Sequence, residues 1–358
     1  MKRTTVLILM VLALAFTGVG LAEQQGRDRG PEFSTRVETL PWYTPAEPMN
    51  VRFTLENGSA EALWVLRWQL PSDDIDANLF EVTCNGKPVT YTGPLVKRAA
   101  PTAEDYVLVN PGEALSVLFD PSAVYDMTAQ GQYTIKYRVQ GLYARKEAPG
   151  ADQPSFPAER ARVMAAQPAG FWFEGIEKPQ TPPSVFEPTL MGIGGYTKCT
   201  TSQQSTLVTA HNNAKTIASK AQSHLAANPN GSSLYTYWFG TYSSSRFNTV
   251  KSHYASVYDA FANKSVTYNC SCKQNYYAYV YPTKPYTIYL CKVFWQAPAL
   301  GRDSKAGTLV HEMTHFNVTC GTDDYVYGAT GAHNLAVSDP AKAVDNADNH
   351  EYFAEDQP

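Results

Sequence analysis

The stretch His311-Glu312-Met313-Thr314-His315 carries the most readable chemistry in this chain. On a helix, residues at i and i+4 share a face, so both imidazoles can reach one metal ion. Glu312 lies between them, where its carboxylate can meet a water at that ion without binding the ion itself. A zinc ion with an open coordination position lowers the pKa of its water toward ~7, within reach of a carboxylate base. The chemistry implied is hydrolysis of a polarised carbonyl. A third protein ligand is required, and its identity separates the possibilities. An HExxHxxGxxH extension is excluded, because Val318 and Gly321 occupy its glycine and third-histidine positions. Glu351 is a candidate from a later helix. Asp323 and Asp324 are candidates from Gly321-Thr322-Asp323-Asp324-Tyr325-Val326-Tyr327-Gly328, whose two glycines let the chain turn back beneath the metal.

HExxH followed by GTxDxxYG resembles the deuterolysin family of zinc endopeptidases, the aspzincins. The resemblance implies that Asp324 is the third ligand, that the Tyr327 hydroxyl stabilises the tetrahedral oxyanion, and that Asp323 is the variable position. Gly307-Thr308-Leu309-Val310-His311-Glu312 and Asn346-Ala347-Asp348-Asn349-His350-Glu351-Tyr352-Phe353 are similar to the peptidyl-Lys branch. The likeness runs from about Cys199 to the C-terminus, through Tyr237-Trp238-Phe239-Gly240 and Tyr279-Val280-Tyr281-Pro282. It implies one zinc ion per catalytic domain, Glu312 as general base, and Asp348 and Glu351 as the pocket for the lysine after the scissile bond. Charge agrees: residues 323–358 hold eight acidic residues and one basic, Lys342. An acidic pocket alone accepts Arg as well as Lys, so the lysine preference is what the resemblance implies.

The six cysteines are Cys84, Cys199, Cys270, Cys272, Cys291 and Cys320. No CxxC pair occurs, which excludes zinc-ribbon spacing. Cys270 and Cys272 point to opposite faces if they lie on a strand, so each takes its own partner. The resemblance implies disulfides joining Cys199 with Cys270 and Cys272 with Cys291. Cys84 and Cys320 are left, and the expectation is a third disulfide holding the N-terminal domain against the active site. A free Cys84 thiolate capping the zinc is the alternative.

Other elements must position these groups. Residues 1–22 read as a signal peptide: Lys2 and Arg3, an apolar run over 6–16, then Gly20-Leu21-Ala22. The apolar run is about half the ~20 residues a membrane span needs, so export is expected rather than anchoring. Residues 23–166 read as an all-β, sandwich-like N-terminal domain. Val51, Phe53 and Leu55 alternate up to a hairpin signal at Asn57-Gly58, and Leu115/Val117/Phe119 and Tyr133/Ile135/Tyr137 alternate again. Residues 167–195, rich in Pro and Gly, read as a linker open to processing. Residues 196–358 read as an α+β zinc metalloprotease domain. Leu207, Ala210, Ala214, Ile217, Ala221 and Leu225 mark one amphipathic helix, and Phe247, Val250, Tyr254, Val257 and Phe261 a second. Strands follow over 276–281 and 287–295, then a helix capped by Asp303 or Ser304 that carries the two histidines. Asp339-Pro340 starts a last helix, which places Asp348 and Glu351 three apart on one face.

With 44% hydrophobic and 17% charged residues and a net charge of -4, the chain of 358 residues builds a core and does not bind nucleic acid. The N-terminal half is expected to act as an intramolecular inhibitor. Residues 92–99 contain Lys97, which either mimics a substrate in the acidic pocket or lies in an exposed basic loop. Self-processing before Lys178 or Lys198 is conceivable. The protein is read as a secreted monomer acting on proteins or peptides. The alternatives are a narrow, toxin-like metalloprotease without lysine preference and a non-catalytic, zinc-containing adhesin.

Overall fold

The computed structural model describes residues 32–72, 75–149, 160–164, 167–176 and 192–358. The leader at 1–22 and the linker residues 177–191, Lys178 among them, lie outside the described residues. Residues from 32 onward belong to one compact unit with two large apolar cores.

The N-terminal core lies between two sheets. One has seven strands and includes Phe33–Glu38, Val51–Asn57 and Ala114–Phe119; the other has five and includes Phe80–Cys84, Gly131–Tyr137 and Ala169–Phe173. Val51, Phe53 and Leu55 face inward with period two, and the Phe53 ring meets those of Phe80 and Tyr137 from the other sheet. The hairpin expected at Asn57-Gly58 does not form. Val51–Asn57 pairs with Phe33–Glu38 and Ala114–Phe119, while Leu63–Leu66 pairs with Tyr106–Val109 and Gly141–Arg145. The buried Asn57 amide donates to the carbonyls of Glu61 and Val109, which carries the chain away to another part of the sheet.

The stretch read as linker also contains strands. Phe171 and Phe173 are buried in Ala169–Phe173, and Gly192–Thr197 lies parallel to Ser265–Asn269. Backbone pairing needs no apolar side chains, so a glycine-rich strand leaves little trace in composition.

In the C-terminal half, Thr201–Ala227 and Ser244–Asn263 are helices, and every residue of the two expected stripes is buried. Thr200 and Gln203 close a reciprocal capping box at the first of them. Strand Thr287–Leu290 is shorter than expected, because residues from Lys292 to Gln296 form a short helix. The last helix is two: Pro340–Val344, capped by the Asp339 carboxylate, and Ala347–Glu355. Asn346 separates them, its side-chain oxygen accepting from the backbone N–H groups of Tyr325 and Val326. Asp348 and Glu351 still share one face of the second helix.

The third sheet joins the halves. Its order is Gly192–Thr197, Ser265–Asn269, Thr287–Leu290, Tyr276–Val280 and, at the edge, Leu95–Arg98 from the N-terminal half. That last strand runs antiparallel to Tyr276–Val280, with Lys97 opposite Ala278 and Val96 opposite Tyr279.

Disulfides join Cys199 to Cys270 and Cys272 to Cys291. The expected bridge between Cys84 and Cys320 is absent, and both thiols are free. Each is committed to its own half. Cys84 is buried in the N-terminal core, while Cys320 packs against the C-terminal core with its thiol donating to the His253 carbonyl. The location of Cys84 within the N-terminal core also rules out the alternative of a Cys84 cap on the metal site.

Candidate active site

Helix Lys305–His315 brings His311, Glu312 and His315 into the centre of the C-terminal half, all three fully buried. Ser304 caps it, accepting from Gly307 N–H at 2.9 Å, and Glu355 of helix Ala347–Glu355 accepts from the Ser304 N–H and hydroxyl. The two helices meet so closely that a Cβ on Gly307 would stand 1.9 Å from a Glu355 oxygen. After His315 the chain leaves the helix and turns back through Gly321 at φ +66°, so that Thr322 N–H donates to the Thr314 carbonyl.

This return fixes the His315 imidazole, and helix Ala347–Glu355 faces that of His311. His315 Nδ1 donates to the Thr322 carbonyl at 2.9 Å, and His311 Nδ1 lies 2.8 Å from an Asp348 oxygen. The two Nε2 atoms stand 3.1 Å apart. The Asp324 oxygens lie 3.3 Å from His311 Nε2 and 3.5 Å from His315 Nε2. Ligand atoms bound at ~2.0–2.1 Å in a tetrahedron stand about 3.3 Å from one another. Two nitrogens and a carboxylate at these separations therefore fit a small divalent cation. Both Asp324 oxygens and both Glu312 oxygens are buried without a hydrogen-bond donor. Burial raises the Asp324 pKa, but the two imidazoles outweigh it and hold the group far below the usual carboxylate range. Glu312 is pushed up to about 7 by burial against the pull of the same imidazoles. Glu351, the other third-ligand candidate, faces His311 Nδ1 at 3.3 Å and so lies away from the converging Nε2 atoms.

Asp348 and Glu351 come together around a lysine from the other half. The Lys97 ammonium is 2.6 Å from Glu351, 3.5 Å from Asp348 and 3.4 Å from Asp303, with the Tyr277 and Tyr352 rings at 5.0 and 5.8 Å. Lys97 is 1% exposed. Burial alone would discharge it, but the Asp348 and Glu351 carboxylates outweigh that and hold its pKa well above the lysine range. Burial likewise pushes Glu351 up while Lys97 pulls it down, and at 2.6 Å the ion pair is the resting form. Asp348 has a second task, since it also holds His311 and accepts from Gly328 N–H. Sequence reasoning missed Asp303 and the two tyrosine rings as parts of this pocket. Asp303 was visible only as a possible helix cap, and its backbone is left-handed at φ 50°.

Tyr327 donates its hydroxyl to the Val96 carbonyl at 3.0 Å. Asp323, beside the ligand candidate, is held by Arg138 at 2.6 Å and by the Asn78 amide at 3.0 Å, both from the N-terminal half.

The profile of the aspzincin family, described as lysine-specific metallo-endopeptidases, matches residues 224–355. The chain is 42% identical over 316 residues to an extracellular protease of Aeromonas hydrophila, covering 87% of this chain and 89% of that protein. It is 32% identical over 340 residues to a peptidyl-Lys metalloendopeptidase of Armillaria mellea, covering 92% and 93%. The chain belongs to the aspzincin family. It is a metalloendopeptidase. A solved zinc peptidase from Grifola frondosa is 46% identical to this aspzincin, covering 45% of this chain and 98% of that one, at a TM-score of 0.43. The family profile spans the helices bearing His311, His315, Asp348 and Glu351, whereas Lys97 and Val96 fall outside it. Among the described residues of this aspzincin no helix is long and apolar enough to cross a membrane.

Proposed function

We propose that this aspzincin is a secreted, zinc-dependent endopeptidase that cleaves on the amino side of lysine and is held latent by its own N-terminal half. The observation that carries the reading is Lys97, a buried ammonium against Glu351 whose preceding carbonyl receives the Tyr327 hydroxyl. A substrate lysine would occupy the same position. Secretion is supported by the leader pattern at 1–22, by two disulfides, and by the extracellular protease among the relatives.

His311, His315 and Asp324 would hold the ion. Bound there, zinc supplies Lewis acidity to the scissile carbonyl and makes an attacking water more acidic. Glu312, poised near 7, takes a proton from that water and returns it to the departing amine. Tyr327 donates to the oxygen that gains charge, and Asp348 keeps His311 in the tautomer that leaves Nε2 free. Glu351, helped by Asp303, fixes the lysine that follows the bond.

Digestion of an unfolded protein by the processed enzyme, with the new peptides sequenced, tests the reading. Peptides beginning with lysine are expected. Cuts spread over other residues would remove the specificity, and no cuts at all would remove the enzyme.

A further inference from the structure

The N-terminal strand does more than fill the cleft, because its polarity and register bring Lys97 and the Val96 carbonyl to two separate partners. Leu95–Arg98 extends the catalytic half's sheet by antiparallel pairing with Tyr276–Val280. The side chain on the amide side of one peptide bond, Lys97, sits among Glu351, Asp348 and Asp303. The carbonyl on the other side of that same bond, from Val96, accepts from Tyr327. A segment that only blocked access would need none of this. Reversing its direction, or sliding it by one residue, would still close the cleft, but would take either the carbonyl from Tyr327 or the ammonium from the pocket.

Building on the function proposed above, we infer that the bond between Val96 and Lys97 is itself a substrate, cut within the same molecule. Water adds across it: the Val96 carbon–Lys97 nitrogen bond breaks, Val96 gains the water oxygen and becomes a carboxylate, and Lys97 takes both water protons and leaves with an ammonium terminus. Both flanks remain gripped after the cut. Upstream, Thr92 and Gly93 N–H groups donate to the Val124 carbonyl and Tyr91 donates to the Pro94 carbonyl. Downstream, the Arg98 guanidinium pairs with Asp76 at 2.9 Å and lies against the Trp68 and Tyr276 rings. The nicked N-terminal half therefore stays together, and the cut precedes its separation from the catalytic half. Lys198 offers no such register: it is exposed at the end of strand Gly192–Thr197.

The test incubates the full chain with zinc at two concentrations tenfold apart, in the presence of a fluorogenic lysyl peptide, and sequences new N-termini over time. An N-terminus at Lys97, appearing with rates within twofold of each other, is the expected result. Glu312→Gln full chain mixed with active enzyme should resist cutting at this bond, since its own cleft shields the strand. Independently of turnover, acylation of metal-free Glu312→Gln protein should modify Lys97 at least tenfold more slowly than the exposed Lys87. A chain that comes to cleave the lysyl peptide while the bond from Val96 to Lys97 stays intact would overturn the inference and leave the proposed function standing. Rates that rise tenfold with concentration, ready cutting of the Glu312→Gln chain in the mixture, or Lys97 labelling as fast as Lys87 would equally overturn it. Cleavage of neither the chain nor the peptide would overturn the proposed function, and the inference with it.

Discussion

The two halves both bury charge where they meet, but with opposite signs and for different reasons. The C-terminal half gathers the buried carboxylates of Glu312, Asp348 and Glu351 and the partly buried Asp324 around two buried histidines, all from two helices and one return loop. The N-terminal half contributes Lys97 to Glu351 and Arg138 to Asp323. Arg98, next to Lys97 on the strand, points the other way and pairs with Asp76 of its own half. One half thus concentrates carboxylates that need an external cation, and the other supplies a cation that its own fold does not use. The carboxylates and the cation that meets them come from different parts of one chain.

Substitutions on each side can break that separation. Glu312→Gln carries the largest expected effect, a loss of about 10²–10⁴ in turnover with zinc content and strand docking unchanged, read by single-turnover kinetics and metal analysis. Loss of docking in that variant would mean the halves are not independent. Lys97→Gln strikes the opposite side. Removing one partner of a buried ion pair costs about 3–5 kcal/mol, so the strand should leave the cleft and a lysyl peptide should be cleaved by the unprocessed chain. Retained latency in Lys97→Gln would show that the rest of the N-terminal half suffices as inhibitor.

Arg138→Ala should act in the same direction but less, about 1–2 kcal/mol, because its pair with Asp323 is partly exposed. Faster processing at unchanged cleavage specificity is the expected readout. A further effect, confined to low pH, concerns acid. Burial lowers the pKa of His253, next to His350, to about 4. The folded protein keeps it neutral while the unfolded chain protonates it below about 6.5. That stability is complete above pH 6.5 and is lost as pH falls toward 4, by about 2 kcal/mol at pH 5. Thermal melts at pH 7 and 5 should show the drop, and His253→Gln should flatten it.

What could be read from the sequence divides along the same line. His311, Glu312 and His315 lie within one helical turn and a half, so spacing alone assembles them. Asp324 and Tyr327 follow in a short motif, and the two amphipathic stripes announce the helices behind them. Lys97 was visible as a lysine in a short basic segment, but a loop and a docked strand share that pattern. Only the fold brings it to carboxylates more than 200 positions away. The hairpin at Asn57-Gly58 failed because a buried asparagine amide overrode the local turn signal. The missing bridge between Cys84 and Cys320 has the same cause, since each thiol answers to the core of its own half.

The central claim is that one pocket serves both Lys97 and a substrate lysine, with Glu351 at its floor. Cleavage-site mapping by processed Glu351→Gln enzyme on an unfolded protein tests it most directly. The expected result is that the preference for lysine over other residues falls at least tenfold. An unchanged lysine preference would contradict it.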